Sequence, residues 1–539
     1  MSPRSAIADN DNNVFPEVKN CALESNRRSW PRGLRCRAVS QPAWRLRHAP
    51  RDGGNGSWAL AKTQANRSAG VGSSRPTCHR SRIGRTIFCM TATTDPSIRK
   101  SPGISYQELL DTDTHSVPDV LRLESPRYLG SADISIERYF SREWHELEKE
   151  RLWGKVWQFA CREENIPEPG DYIIYEICNK SYIVIRTSDG TIKSYVNACL
   201  HRGRMLKQYD GKCSEIRCSF HGFTWTNEGN LKDIPAGWDF EHVTPSEFSL
   251  PEAKVGLWAG FVFINPDPQA LSFESFLGEL PEHFTRWNLK DRYVQAHVAK
   301  KLNCNWKIAQ EAFSEAFHVN ATHPQILNYL GDTNSQVDVW DTFSRVITPG
   351  GTPSPLIKHS VNEADIMRAL MDVRVDEELP IEIPEGKTAR EVGASLARDR
   401  WRPIVGDMVD DWSDAEYLDA IYYTLFPNFH PWGAFNRIVY RFRPLGDNER
   451  QSLMECFFLS PFTGERPAPA EMHLLEFDEP WSSAVELSTL GKVFDQDVFN
   501  MEYVQRGLET TVKPGVTLAN YQESKVRWFH VMLDEYMGV

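Results

Sequence analysis

Two cysteine–histidine pairs constrain this chain more than any other feature: Cys199-Leu200-His201 and Cys218-Ser219-Phe220-His221, with sixteen residues between them. Each pair lies among short strand patterns, with Gly203 and Gly222 just after the histidines, so two tight loops can converge on one centre. Two thiolates and two imidazoles suit a tetrahedral zinc ion. They equally suit a 2Fe–2S cluster with cysteines on one iron and histidines on the other. Zinc fingers place both cysteines before both histidines, whereas here cysteine leads in each pair. Cys213 has no histidine at comparable spacing and is left out of the set.

A second constellation begins in residues 305–322, which are helical in pattern. Glu315 and His318, three apart, share a helix face. His318 and His323, five apart, lie about 140° apart round a helix, too far to share a metal. Pro324 resolves this, because the residue before proline is pushed out of the helical region and His323 can swing back. Further on, a helix is expected over about 480–512, and Leu490, Val493, Phe494, Met501, Val504 and Leu508 cluster around the direction of Asp497. Asp497 therefore points into the core, while Asp495 and Arg506 face away. A buried carboxylate is costly unless paired or bound to metal. Two histidines with one carboxylate form the facial triad of non-heme Fe(II) oxygenases. The plainer reading pairs Asp497 with a basic side chain.

The chain around these groups has 539 residues, enough for two or three domains. Its 41% hydrophobic and 25% charged residues are those of a globular protein. No apolar run reaches the length of a membrane helix, so a transmembrane protein is not expected. Eleven cysteines are too few for a disulfide scaffold, and a net charge of −12 argues against a general nucleic-acid binder. The charge is split: residues 1–89 carry sixteen Arg or Lys against five acids, and the remainder is strongly acidic. An Arg-, Ser-, Gly- and Pro-rich tail of this kind is expected to be disordered. It reads as a transit peptide, as a nucleic-acid-binding arm, or, the favoured reading, as sequence upstream of a true start at Met90.

From Ser135 to Trp157 the pattern is helical; Asp171–Arg186, Phe261–Asn265, 417–427 and 436–460 read as strands. Residues 345–415 suit a long excursion over a pocket. Phe313, Phe317, Leu327, Trp340, Phe343, Tyr422, Tyr423 and Phe426 are its expected lining. Such a lining suits a hydrophobic ring and also a methylated ammonium group. There is no flavin or nicotinamide fingerprint.

Both constellations, in this order, resemble the α subunit of Rieske non-heme iron aromatic-ring-hydroxylating oxygenases over about residues 105–539. Asn305-Trp306-Lys307, Glu315, His318, Thr322-His323 and, far downstream, Asp497 with Met501-Glu502 match the family's motifs. Arg204 stands where respiratory Rieske proteins carry a further cysteine, so the likeness is to the oxygenase and ferredoxin type. The resemblance implies an α+β fold: a β-rich Rieske 2Fe–2S domain (156–280) beside a helix-grip, START-like catalytic domain with an antiparallel sheet (281–539). Residues 1–89 are then the tail and 90–155 an N-terminal extension and helix.

The same resemblance makes Cys199, His201, Cys218 and His221 the cluster ligands and His318, His323 and Asp497 the ligands of a mononuclear Fe(II). Glu315 becomes the acid linking a neighbour's cluster to the iron; the family usually has Asp there, and Glu is familiar from the choline, betaine and carnitine monooxygenase branch. It further implies O2 as co-substrate, a ferredoxin or flavin reductase as donor with NAD(P)H entering only through it, and a head-to-tail homotrimer. A β subunit is left open, and the location is expected to be cytoplasmic, or organellar if the tail is a transit peptide. Rieske clusters sit at about −150 to +300 mV, which requires a lower-potential donor. The implied reaction is hydroxylation of a hydrophobic, aromatic substrate. The rivals are oxidation of methyl groups or quaternary ammonium compounds, a Rieske electron carrier, and a zinc-stabilised ligand-binding module without redox activity.

Overall fold

The computed structural model describes residues 101, 103–374 and 377–539. The expectations for residues 1–89, and for the start at Met90, lie outside the described residues.

The helical pattern expected from Ser135 to Trp157 is realised in pieces. A 3-10 turn, Ile136–Tyr139, is capped by Ser135, and an α-helix, Arg142–Leu147, by Ser141; a π turn, Glu148–Leu152, follows. The β-branched and aromatic run from Asp171 forms the hairpin Asp171–Ile177 and Lys180–Arg186, turning at Cys178-Asn179. These join a seven-stranded sheet that also holds Gln158–Arg162, Ile192–Val196, Gly211–Lys212, Glu252–Trp258 and Phe261–Asn265. A small three-stranded sheet, Ile216–Arg217, Thr224–Trp225 and Leu231–Asp233, stands beside it and carries the second Cys–His loop. Between them Ile183, Ile185, Tyr195, Ile216, Phe223 and Trp225 form a core of their own.

After residue 280 the chain builds an eight-stranded sheet. Its order is Gln336–Val339, Phe343–Thr348, Ala420–Leu425, Phe429–Pro431, Ile438–Pro444, Ser452–Pro461, Arg292–Leu302 and Met472–Leu475. Every pairing is antiparallel except that of the last strand with Arg292–Leu302. The two sheets make the mixed α+β architecture expected from the sequence. Among the described residues, 349–419 supply three α-helices, Glu363–Leu370, Ala389–Val405 and Asp414–Leu418, and a 3-10 helix, Gly406–Asp411. The expected long helix is shorter, Leu490–Leu508, because residues 481–487 form two 3-10 turns; Asp495 accepts the N–H groups of Trp481 (2.6 Å) and Ser482 (3.2 Å) there. A last helix, Ser524–Met537, packs Trp528, Phe529 and Leu533 into the core.

Alternation along the strands divides the expected aromatic lining. Trp340, Phe343 and Tyr423 gather round His283, with ring centroids 4.8, 5.2 and 5.7 Å from it, and Phe426 packs on Trp528, Phe529 and Tyr536. Tyr422, next to Tyr423 in a strand, faces the other way and stacks on Trp432 at 5.2 Å. Successive residues of a strand point to opposite faces, so this run could not all line one pocket. The expectation is corrected for Trp340, Phe343, Tyr423 and Phe426.

Candidate active site

The two Cys–His loops are built alike. Cys199 accepts from the Gly203 N–H (2.9 Å) and donates its own to Arg204 (2.8 Å); Cys218 accepts from Gly222 (3.0 Å) and donates to Phe223 (2.8 Å). Gly203 and Gly222 hold φ of +73° and +83°, a region side chains disfavour, and this closes each turn. Both cysteines are buried and unpaired by disulfide. Burial raises the Cys199 thiol above its ordinary value, and the adjacent Cys218 sulfur adds to the rise. The rings of His201 and His221 lie 4.6 Å apart, and His201 Nδ1 is buried without a hydrogen-bond partner. A buried, unsatisfied ring nitrogen beside two buried sulfurs is the donor set a 2Fe–2S cluster takes. Cys213 is elsewhere, in contact with Asn227.

The second constellation starts at Asn305, whose side chain accepts the Lys307 N–H (3.0 Å) and caps the helix Trp306–Glu311. Trp306 donates its ring N–H to Glu148 (3.0 Å), and Lys307 reaches the same carboxylate at 2.5 Å with both side chains fully buried. The Asn-Trp-Lys run is thus an anchor for the segment behind it. The helix does not continue to 322 as the pattern suggested: it ends at Glu311, and a second short helix spans Val319–Thr322. Between them Ser314 hydrogen-bonds back to Gln310, and Glu315 bends to receive the backbone N–H of His318 at 2.9 Å.

Glu315 also holds the His318 ring, Oε1 to Nδ1, at 2.7 Å. His323 has left the helix, at φ −126°, immediately before Pro324. Its Nδ1 meets Gln496 Oε1 at 2.9 Å, and its Nε2 meets Asp497 Oδ1 at 2.8 Å; His318 Nε2 lies 3.5 Å from the same oxygen. One ligand atom from each of His318, His323 and Asp497 lies within 4.8 Å of the others. Both Nδ1 atoms face carboxylate or amide oxygens, which fixes N–H there and leaves each Nε2 lone pair for a metal. That arrangement fits a mononuclear iron. Burial lowers the His318 pKa, but the charge and hydrogen bond of Glu315, followed by the charge of Asp497, outweigh it and raise the group overall.

Asp497 sits on the buried stripe Gly491, Phe494, Asp497, Met501, Gln505 of its helix, whereas Val504, expected on that stripe, is exposed. Phe313 packs on Tyr440 (5.0 Å), Phe442 and Phe494 beside the triad, and Tyr440 crosses Trp432 at 6.0 Å and 89°. Phe317 is exposed. The sequence gives no sign of Gln496, since an amide beside a core position reads as surface, or of Tyr440, one buried aromatic among many.

Comparison with known proteins bears on both regions. Residues 156–242 match the Rieske [2Fe-2S] domain model, and residues 283–539 match the model of the ring hydroxylating alpha subunit (catalytic domain). The chain belongs to the Rieske-domain ring-hydroxylating oxygenase alpha-subunit family. Among curated members of that family, it is 30% identical over 192 residues to the carnitine monooxygenase oxygenase subunit of Acinetobacter pittii (strain PHEA-2), covering 34% of this chain and 51% of that one. It is 29% identical over 250 residues to the chlorobenzene dioxygenase subunit alpha of Cupriavidus sp. (strain PS12), covering 44% and 55%. The chain thus spans about half the length of these relatives. A quaternary ammonium Rieske monooxygenase with bound inhibitor shares the fold at TM-score 0.54 and 19% identity, over 76% of this chain and 96% of that one. Naphthalene 1,2-dioxygenase bound to phenanthrene does so at 0.53 and 18%, over 77% and 94%. Among the described residues, no helix of this alpha-subunit family member is long and apolar enough to cross a membrane.

Proposed function

We propose that this chain is the terminal oxygenase of a multicomponent Rieske system, hydroxylating a small hydrophobic substrate with O2 and electrons from a ferredoxin or flavin reductase. The observation that carries the reading is the convergence of His318, His323 and Asp497 in a chain that also folds the paired Cys–His loops. In this reading residues 156–280 form the cluster domain and 281–539 the catalytic domain. Cys199, His201, Cys218 and His221 would hold the 2Fe–2S cluster, and His318, His323 and Asp497 the Fe(II). When bound, these groups supply one-electron storage and O2 activation.

The protein's own work is positional. Gln496 and Glu315 lock the two imidazoles in the tautomers that ligate, and the Glu148–Lys307 anchor fixes the segment that carries them. Phe313, Tyr440 and Phe494 pack on one another, and Phe494 shares the buried stripe of its helix with Asp497. Glu315, in this reading, is also the link to the cluster histidine of a neighbouring copy in a head-to-tail trimer. The exposed aromatics Tyr209, Phe220 and Trp238 of the cluster region and Phe317, Phe499 and Tyr503 of the catalytic region support that assembly.

A second reading, oxidation of an N-methyl group on a quaternary ammonium compound, is supported by the likeness to a carnitine monooxygenase oxygenase subunit and by Glu315. Incubating the purified chain with a surrogate ferredoxin and reductase and a panel of arenes, aryl methyl ethers, N-methyl amines and betaines tests both. One class should give O2 uptake coupled to a hydroxylated or demethylated product. Zinc in place of iron, with no product from any class, would instead support the ligand-binding module.

A further inference from the structure

A cleft of about 70 Å³ opens between the ends of the strands Arg292–Leu302 and Ser452–Pro461 and the end of the helix Ala389–Val405. Tyr293 and Trp401 are among its walls, and Arg400 and Arg437 both turn into it. Arg437 is half-buried, and its Nη1 is held by Gln295 Oε1 at 2.5 Å and Ser460 Oγ at 3.1 Å, two neutral acceptors. No carboxylate pairs with it among the described residues; Arg400, an exposed side chain near the end of the helix, likewise has no acid partner among them. Burial lowers both guanidinium pKa values, and the charge of Arg400 lowers that of Arg437 further.

Several buried arginines of this fold pair with acids, Arg345 with Asp338, Arg390 with Asp113 and Asp419, Arg441 with Glu455, while Arg292 and Arg527 are held by backbone carbonyls. Two like charges converging on a cleft without an acid leave a positive field and unused N–H donors in a fork suited to carboxylate oxygens. The aromatic walls add flat apolar surface. None of the lining residues belongs to the Cys–His loops or to the His318–His323–Asp497 triad.

We propose that this cleft is a second, non-catalytic ligand site that takes a small organic carboxylate with a flat apolar body. Its two oxygens lie on Arg437 and Arg400, and its ring lies between Tyr293 and Trp401. The site stands whatever the enzyme's substrate is.

The test is titration of the purified full chain with 4-fluorobenzoate, followed by fluorine NMR, beside three comparisons. On the unaltered protein, 4-fluorobenzamide, neutral and of the same shape, should bind at least tenfold more weakly, and inorganic phosphate should displace 4-fluorobenzoate poorly. Arg400→Gln/Arg437→Gln should weaken 4-fluorobenzoate binding at least tenfold, and the milder Arg437→Lys should weaken it less. Asp497→Ala should leave it unchanged. The proposal is overturned by any of these results: no saturable binding, equal binding of acid and amide, efficient displacement by phosphate, binding that survives the double Gln variant, or binding lost in Asp497→Ala.

Discussion

At the scale of single residues, the account rests on which atom each side chain offers. Asp497→Ala is expected to abolish turnover and mononuclear iron binding while the Rieske absorption spectrum persists. Gln496→Leu removes the acceptor for the His323 Nδ1–H while leaving all three ligands in place. Loss of such an orienting partner typically costs about 10–100-fold in metal affinity; an iron titration of the variant checks this, and an unchanged affinity would deny Gln496 its role. His283 offers a prediction far from any metal ligand. Burial, and then the charge of Arg345, lower its pKa to about 3, against about 6.5 in the unfolded chain. The folded protein therefore binds fewer protons between those values, and stability contributed by the neutral ring is lost as pH falls through the window. At pH 5 the loss is about 2 kcal/mol. Urea midpoints at pH 7.5 and pH 5 should fall further apart in the wild type than in His283→Gln; parallel behaviour would contradict the assignment. The convergence of His318, His323 and Asp497 was legible in the sequence because metal chemistry restricts both type and spacing. Gln496 was not, since its meaning depends on His323 arriving opposite it from 173 residues away.

At the scale of elements, the segment 305–324 shows where periodicity succeeds and where it stops. The apolar spacing marked helix correctly at both ends. It did not register the break at 312–318, because Glu315 trades helical geometry for two hydrogen bonds to His318. The release of His323 at Pro324 was legible, since proline acts locally. The facing of Tyr422 and Tyr423 was legible in principle from strand alternation, but only once the strand's existence and both its covering layers were fixed. The anchor beneath the segment is a fully buried ion pair. Lys307→Met strands the Glu148 carboxylate in the core and is expected to cost about 3–5 kcal/mol, because removing one partner leaves a charge uncompensated. The double variant Glu148→Gln/Lys307→Met should cost less than the sum of the two single changes in denaturant titrations. Strict additivity would mean the two groups do not act as a pair.

At the scale of the whole molecule, the two-sheet α+β architecture followed from the family likeness carried by a handful of motif residues. The order of strands in the larger sheet did not. Its longest strand, Arg292–Leu302, alternates charge and small apolar residues weakly and passed unnoticed in the sequence; its ten-pair register with Ser452–Pro461 exists only in the folded chain. The proposed head-to-tail assembly makes a prediction of its own. Chains carrying Cys199→Ser and chains carrying Asp497→Ala, each inactive alone, should regain turnover when co-expressed, since each supplies the centre the other lacks. Absence of recovery in a verified mixed oligomer would rule out transfer between neighbours. Beneath all of this lies the claim that one chain carries a redox cluster and a separate mononuclear iron. Metal analysis joined to electron paramagnetic resonance of the reduced wild-type and Asp497→Ala proteins tests it most directly. The account predicts iron at both centres in the wild type, and in the variant loss of the mononuclear iron alone with the Rieske signal intact. Zinc at the Cys–His loops, or joint loss of both centres in the variant, would contradict it.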